Sequence, residues 1–162
     1  MKDRPKDEAD RAEEMVRRYG KMVYRLAFAR SGRREDADEI FQEVFLRYVK
    51  KCPVFESENH CRAWFIRVTV NCANKLWANP WRRRTVPLGE EMAFEDPAVS
   101  GLYWELQRLP PNYRQVIHLY YYENFTTEEI GRLLRRKSST VRTQLTRARA
   151  MLRDFMEEED HV

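Results

Sequence analysis

The stretch "TTEEIGRLLRRKSSTVRTQLTRARAML", residues 126–152, carries two short apolar stripes broken by a cluster of basic residues. Thr126 or Thr127 can cap a helix, and Glu128 and Glu129 stand where the positive end of the helix dipole favours acid. Ile130, Leu133 and Leu134 then recur at helical spacing. The pattern breaks over Arg135 to Ser138, and Ser138 or Ser139 can cap a second helix with Val141, Leu145, Ala148 and Leu152 on its inner face. Thr140, Arg142, Thr143, Gln144, Thr146, Arg147 and Arg149 are left pointing outward, with no acid anywhere from Ile130 to Arg153. A short helix, a tight turn and a longer helix rich in arginine and hydroxyls read as a helix-turn-helix, whose second helix fits the major groove of DNA. The plainer alternative is a solvated basic helix in a bundle.

Charge is distributed to match. The 162 residues are 43% hydrophobic and 35% charged, enough for one or two small globular units. The net charge is only +4, yet Arg62, Arg67, Lys75, Arg82, Arg83 and Arg84 fall in an acid-free stretch, as do the arginines from Arg132 to Arg153. Between these blocks Glu90, Glu91, Glu95, Asp96 and Glu105 occur with no Lys or Arg from Thr85 to Leu106. Two basic blocks around an acidic connector are the electrostatic footprint of a polyanion partner. Nothing in the chain is apolar for long enough to span a bilayer, and "MKDRPKDEADRAEE" lacks the apolar core of a signal peptide, so no membrane insertion and a cytoplasmic location are expected. Cys52, Cys61 and Cys72 are odd in number and lack paired zinc-ligand spacing; buried, reduced thiols are expected, with no metal and no cofactor.

Upstream, helices are predicted over about 12–30, 36–51 and 61–77. The second turns Ala37, Phe41, Val44, Phe45 and Tyr48 inward and shows Asp38, Glu39, Gln42, Glu43 and Arg47 on its other side, with Ile40 among them. In the third, Cys61, Trp64, Phe65, Val68, Cys72 and Leu76 can pack inward, and Asn79-Pro80 stops it. "TVPLGEEMAFEDPAVSG", residues 85–101, reads as a tether. Helical spacing resumes on both sides of Pro110-Pro111, and Asn124 suits a left-handed stop. "LYYYEN", residues 119–124, is dense enough in aromatics to suit a strand as well. The expected fold class is all-α: a helical domain over 1–84, a flexible acidic linker over 85–101 and a helix-turn-helix domain over 102–162.

In order and spacing, "EDADEIFQEVFLRYV", "AWFIRVTVNCAN", "LQRLPPNYRQVIHLYYYENFTTEEIGRLL" and "STVRTQLTRARAML" resemble the small two-domain extracytoplasmic-function (ECF) sigma factors of bacterial RNA polymerase, in the sigma-70 family. The resemblance runs from about residue 14 to 156. It implies a non-enzymatic protein that directs polymerase core to promoters, with an anti-sigma factor as a further partner. It also implies that the helix bearing Asp38, Glu39, Gln42 and Glu43 docks on the polymerase, where Gln42 and Ile40 beside the acids suit an interface with a less charged middle.

The third helix then corresponds to the part that captures the melted minus-ten element, where unpaired bases need pockets and stacking surfaces and the backbone needs cations. Asn71 matches the family's base-pocket asparagine; Asn74 and Lys75 follow it, Arg67 lies in the same acid-free block, and Phe55 to His60 is expected to loop over an extruded base. Arg82, Arg83 and Arg84 suit phosphates. Trp64 matches a core tryptophan, while Trp77 and Trp81 could stack on a base or cover the helix end. The opening stretch becomes the reader of the duplex minus-thirty-five element, through Ser139, Thr140, Arg142, Thr143, Gln144 and Arg147, with Arg135 and Arg136 on phosphate. Relatives usually have Gly and an apolar residue where this chain has Arg135 and Arg136, Gly where it has Ser139, and Ala where it has Gly131, which points to a reshaped turn.

A linker of this length reaches at most about 55 Å, around one and a half turns of duplex at about 34 Å each. Two linked lobes can thus hold two promoter elements at once. Three rivals remain in view. A regulator that binds duplex operators by itself leaves the first lobe without a task, a nucleic-acid enzyme lacks a phosphate loop or a metal motif, and a protein-only adaptor would be indifferent to salt.

Overall fold

The computed structural model describes residues 4–78 and 103–160, all of them helix, turn or loop with no strand. The chain divides into two compact units, Met1–Val86 and Pro87–Val162. The tether expected over 85–101, Trp81, the arginines Arg82, Arg83 and Arg84, and the Asn79-Pro80 stop lie outside the described residues.

The first unit packs three helices, α1 (Arg4–Ser31), α2 (Arg34–Lys51) and α3 (Glu58–Trp77), each against the other two. Helix α1 ends where Gly32 takes a positive φ of 72°, its N–H bonding back to the Phe28 carbonyl at 2.8 Å. The core is apolar: Val23, Leu26 and Ala27 from α1, Ala37, Ile40 and Val44 from α2, Phe65 and Ile66 from α3 are all buried. Around Phe65 gathers an aromatic cluster, with Tyr19 stacked on it at 4.9 Å and Trp64 edge-on at 5.0 Å. Two sequence expectations are corrected here. Ile40 is 2% exposed and belongs to the core, not to the acidic outer side of α2. Phe41 is only half-buried, resting on α1 where its ring lies 3.5 Å from the position a side chain on Gly20 would occupy.

Cys52 closes α2 in the left-handed region, at φ 43°, and Pro53 follows. Ser57 opens α3 by accepting a hydrogen bond from the His60 N–H at 3.1 Å. The helix begins at Glu58, three residues before the predicted start, so His60 sits in its first turn and the loop shortens to residues 52–57. All three cysteines are free thiols; Cys61 and Cys72 are buried as expected, but Cys52 is exposed. Burial raises the Cys61 and Cys72 thiols above their ordinary range.

The second unit contains α4 (Tyr103–Arg108), α5 (Pro111–Ile117), a π-helical segment (His118–Tyr122), α6 (Thr127–Leu134) and α7 (Ser138–Asp160). Pro111 occupies the first turn of α5, where a missing N–H costs nothing. The run that also suited a strand is helical, widened to a π turn in which the Glu123 N–H reaches the His118 carbonyl at 3.2 Å. Asn124 stops it in the left-handed conformation, φ 58°, as its residue type suggested. Helix α7 runs eight residues beyond the apolar stripe that announced it. There Arg108 of α4 bonds Glu158 at 2.9 Å, and its guanidinium lies 3.9 Å from the centre of the Phe155 ring. Leu109, Val116, Leu119, Ile130, Val141, Leu145 and Ala148 form the core of this unit.

Candidate nucleic-acid interface

Helix α6 starts with a reciprocal cap: Thr126 accepts from the Glu129 N–H at 3.2 Å, and the Glu129 carboxylate accepts from the Thr126 N–H at 3.2 Å. It ends at Arg135, left-handed at φ 56°. The turn closes when the Arg136 N–H donates to the Gly131 carbonyl at 2.8 Å. The chain comes so close here that a Cβ on Gly131 would lie 2.7 Å from the Arg136 carbonyl oxygen. The turn folds down onto α6, and a residue without a side chain at 131 leaves room for it. Lys137, and neither Ser138 nor Ser139, accepts the first backbone bond of α7, from Val141 at 3.1 Å; Ser138 is already helical and its hydroxyl faces Arg142 at 3.4 Å.

At about 100° per residue, the buried stripe of α7 (Val141, Leu145, Ala148) fixes what faces away from it. Ser139, Thr143, Thr146 and Ala150 occupy the middle of the exposed side. Arg142, Arg149 and Arg153 line one edge, and Thr140, Gln144 and Arg147 the other. The predicted residues Ser139, Thr140, Arg142, Thr143 and Arg147 are all exposed, while Gln144 is half-buried. Thr146, mid-face, and Arg149 are exposed too, as their spacing suggested, and the Arg149 Nε donates to the Tyr121 hydroxyl at 2.6 Å. The hydroxyls of Thr143 and Thr146 donate to the carbonyls four residues before, Ser139 and Arg142, at 3.0 and 2.9 Å, which orients both side chains.

The two turn arginines part company. Arg135 is exposed, whereas Arg136 is half-buried and donates to Gln144 Oε1 at 3.1 Å and to Asn112 Oδ1 at 3.4 Å. Burial also pulls the Arg136 guanidinium down from its ordinary value. Arg136 thus ties the turn to α5 and α7.

On the first unit, Arg67, Asn71, Asn74 and Lys75 are all exposed and follow one another along α3 at steps of four, three and one, which places them on one face. Asn74 also accepts from Arg30 at 3.4 Å, and the Arg30 guanidinium lies 5.4 Å from the centre of the Trp77 ring. Trp77 is half-buried beside that guanidinium at the end of α3. Phe55 is half-buried among His60, Trp64 and Phe65, with ring centres 5.5, 5.9 and 6.5 Å away. It seats the loop, leaving Val54 beside it 90% exposed. His60 Nδ1 accepts from the Glu56 N–H at 3.2 Å, locking the loop to the start of α3.

Asp38, Glu39, Gln42 and Glu43 share the exposed side of α2. The apolar contribution to that surface comes from Leu46 and Val49, 52% and 46% exposed, in place of the Ile40 expected there.

Helix, close turn and a long basic helix with an ordered hydroxyl face define a helix-turn-helix DNA-binding protein with a second, all-helical unit. Residues 105–152 match the family model for sigma-70 region 4, and residues 15–83 match that for sigma-70 region 2. The chain belongs to the sigma-70 family, among its extracytoplasmic-function members. It is 31% identical over 157 residues to the ECF RNA polymerase sigma factor SigE of Mycolicibacterium smegmatis, an alignment that takes in 89% of this chain and 61% of SigE. To the RNA polymerase sigma factor SigV of Bacillus subtilis it is 26% identical over 145 residues, covering 85% of this chain and 86% of SigV. Its fold is similar to that of the sigma factor RpoE solved with the anti-sigma factor NepR from Bartonella quintana, at TM-score 0.72 and 16% identity over 90% of this chain and 96% of RpoE. CnrH in complex with the cytosolic domain of CnrY gives TM-score 0.64 at 20% identity, covering 91% and 88%.

Proposed function

We propose that this protein is a promoter-specificity subunit: it joins bacterial RNA polymerase core, directs it to particular promoters and initiates transcription there. The observation that carries the reading is the exposed side of α7 over residues 138–153, free of acid, with hydroxyls in the middle and arginines along the edges, in one chain with the exposed Arg67, Asn71, Asn74 and Lys75 face of α3. The α7 side suits the intact major groove of the minus-thirty-five element. The α3 side suits the opened minus-ten strand, with Arg82, Arg83 and Arg84 on its phosphates. Asp38, Glu39, Gln42 and Glu43, joined by Leu46 and Val49, form the polymerase-binding surface.

Domain boundaries at 84/85 and 101/102 follow from this division of labour. The protein catalyses no reaction itself; bond formation belongs to core. It works in the cytoplasm, beside polymerase and promoter, and no helix among the described residues is long and apolar enough to cross a membrane. An anti-sigma factor is a further partner, a reading supported by the RpoE–NepR complex.

Each unit offers a small contact area, so the free chain binds promoter DNA weakly and core, by engaging both units, makes binding specific. A gel shift with and without core tests this. The expected result is a sequence-specific complex only with core; tight specific binding by the isolated chain would favour a self-sufficient regulator.

A further inference from the structure

Arg136 stands in the turn of the helix-turn-helix and is fixed at three points. Its backbone N–H holds the Gly131 carbonyl at 2.8 Å, one guanidinium nitrogen holds Asn112 Oδ1 at 3.4 Å, and another holds Gln144 Oε1 at 3.1 Å. A guanidinium can only donate, so the Gln144 atom facing it must be the amide oxygen, whichever way an amide would otherwise be assigned. Gln144 is half-buried at the edge of the exposed side of α7, one turn after Thr140 and one turn before Arg147.

We infer that Arg136 is a specificity-determining positioning residue: by occupying the Gln144 oxygen it presents the Gln144 amide nitrogen to the groove and makes that position select a keto base. The inference rests on the proposed reading of α7 as the duplex reader. An unconstrained glutamine reads adenine with both ends of its amide, accepting from N6 and donating to N7. The Gln144 oxygen keeps a second lone pair, but an adenine or cytosine amino group, itself a donor, can reach it only beside the positive guanidinium, which opposes the approach. Guanine O6 and thymine O4, being acceptors, meet the free N–H2 directly and lie favourably beside the guanidinium. Arg136 therefore shapes the sequence read at one position without touching the base.

The test is transcription by holoenzyme reconstituted with core on a promoter library randomised across the upstream element, using the wild type, Gln144→Ala, Arg136→Met and, as a reference, Thr143→Ala. With the wild type, G or T is expected over A or C by about ten-fold at one position. Gln144→Ala flattens that position alone, Arg136→Met abolishes its keto preference or converts it to adenine, and Thr143→Ala alters a different position. Adenine at the Gln144-dependent position in the wild type, no position that depends on Gln144, or a keto preference that survives Arg136→Met would each overturn the inference. An equal loss at every position with Arg136→Met would also overturn it, leaving Arg136 a strut. Should circular dichroism show Arg136→Met unfolded, the wild-type and Gln144→Ala selections still decide the base preference. A wild-type holoenzyme that starts no transcript from any member would defeat the proposed function itself, a failure distinct from a wrong base at one position.

Discussion

Arg135 and Arg136 are neighbours of one residue type with opposite tasks, and the difference comes from backbone geometry. The left-handed φ of 56° at Arg135 turns the chain so that its side chain stays in solvent while the next one is carried between α5 and α7. That conformation costs a non-glycine residue about 1 kcal/mol. Arg135→Gly is therefore expected to stabilise the fold by about that amount in thermal unfolding. In the same variant, holoenzyme binding to promoter DNA should weaken, with the slope of log K against log salt shallower by about one. Unchanged binding at every salt concentration would remove Arg135 from the phosphate contacts. In sequence the two arginines are indistinguishable, because nothing local says which side of the left-handed residue a side chain falls on. Ile40 is a different case. It follows Ala37 by three residues and precedes Val44 by four, a core spacing that was legible but masked by the acids beside it.

Helix α6 and the apolar stripe of α7 were legible, because capping residues and a short periodic stripe are local signals: Thr126 ahead of the helix, Ile130 with Leu133, Val141 with Leu145. What the periodicity could not convey was how closely the turn approaches α6. Gly131 records that approach, and Gly131→Ala is expected to lower stability by about 1–3 kcal/mol, since the 2.7 Å contact is with backbone that cannot rotate away. Denaturant unfolding checks it; a change within about 0.5 kcal/mol would show that the turn relaxes freely. Two other elements escaped the sequence reading for the same reason, that they depend on tertiary packing. The π turn over His118–Tyr122 buries His118 and Leu119, and the last eight residues of α7 are anchored by Arg108 through Glu158 and Phe155, fifty and forty-seven positions away.

For the molecule as a whole, composition was the most informative signal. An acid-free block before the connector and another after it pointed to a polyanion partner, and four motifs in register pointed to the family. The exposed α3 face, the hydroxyl-centred side of α7 and the polar outer side of α2 are the three surfaces proposed for an opened strand, an intact duplex and a protein. The apolar residues Leu46 and Val49 on that α2 surface were invisible to a reading centred on charge. Run-off transcription with purified core polymerase lacking any sigma factor, on a library of promoter-like fragments, decides whether this protein is a promoter-specificity subunit. Discrete transcripts are expected that appear only when this protein is added and that begin downstream of a shared pair of sequence elements. Failure to start transcripts on any template would contradict that role.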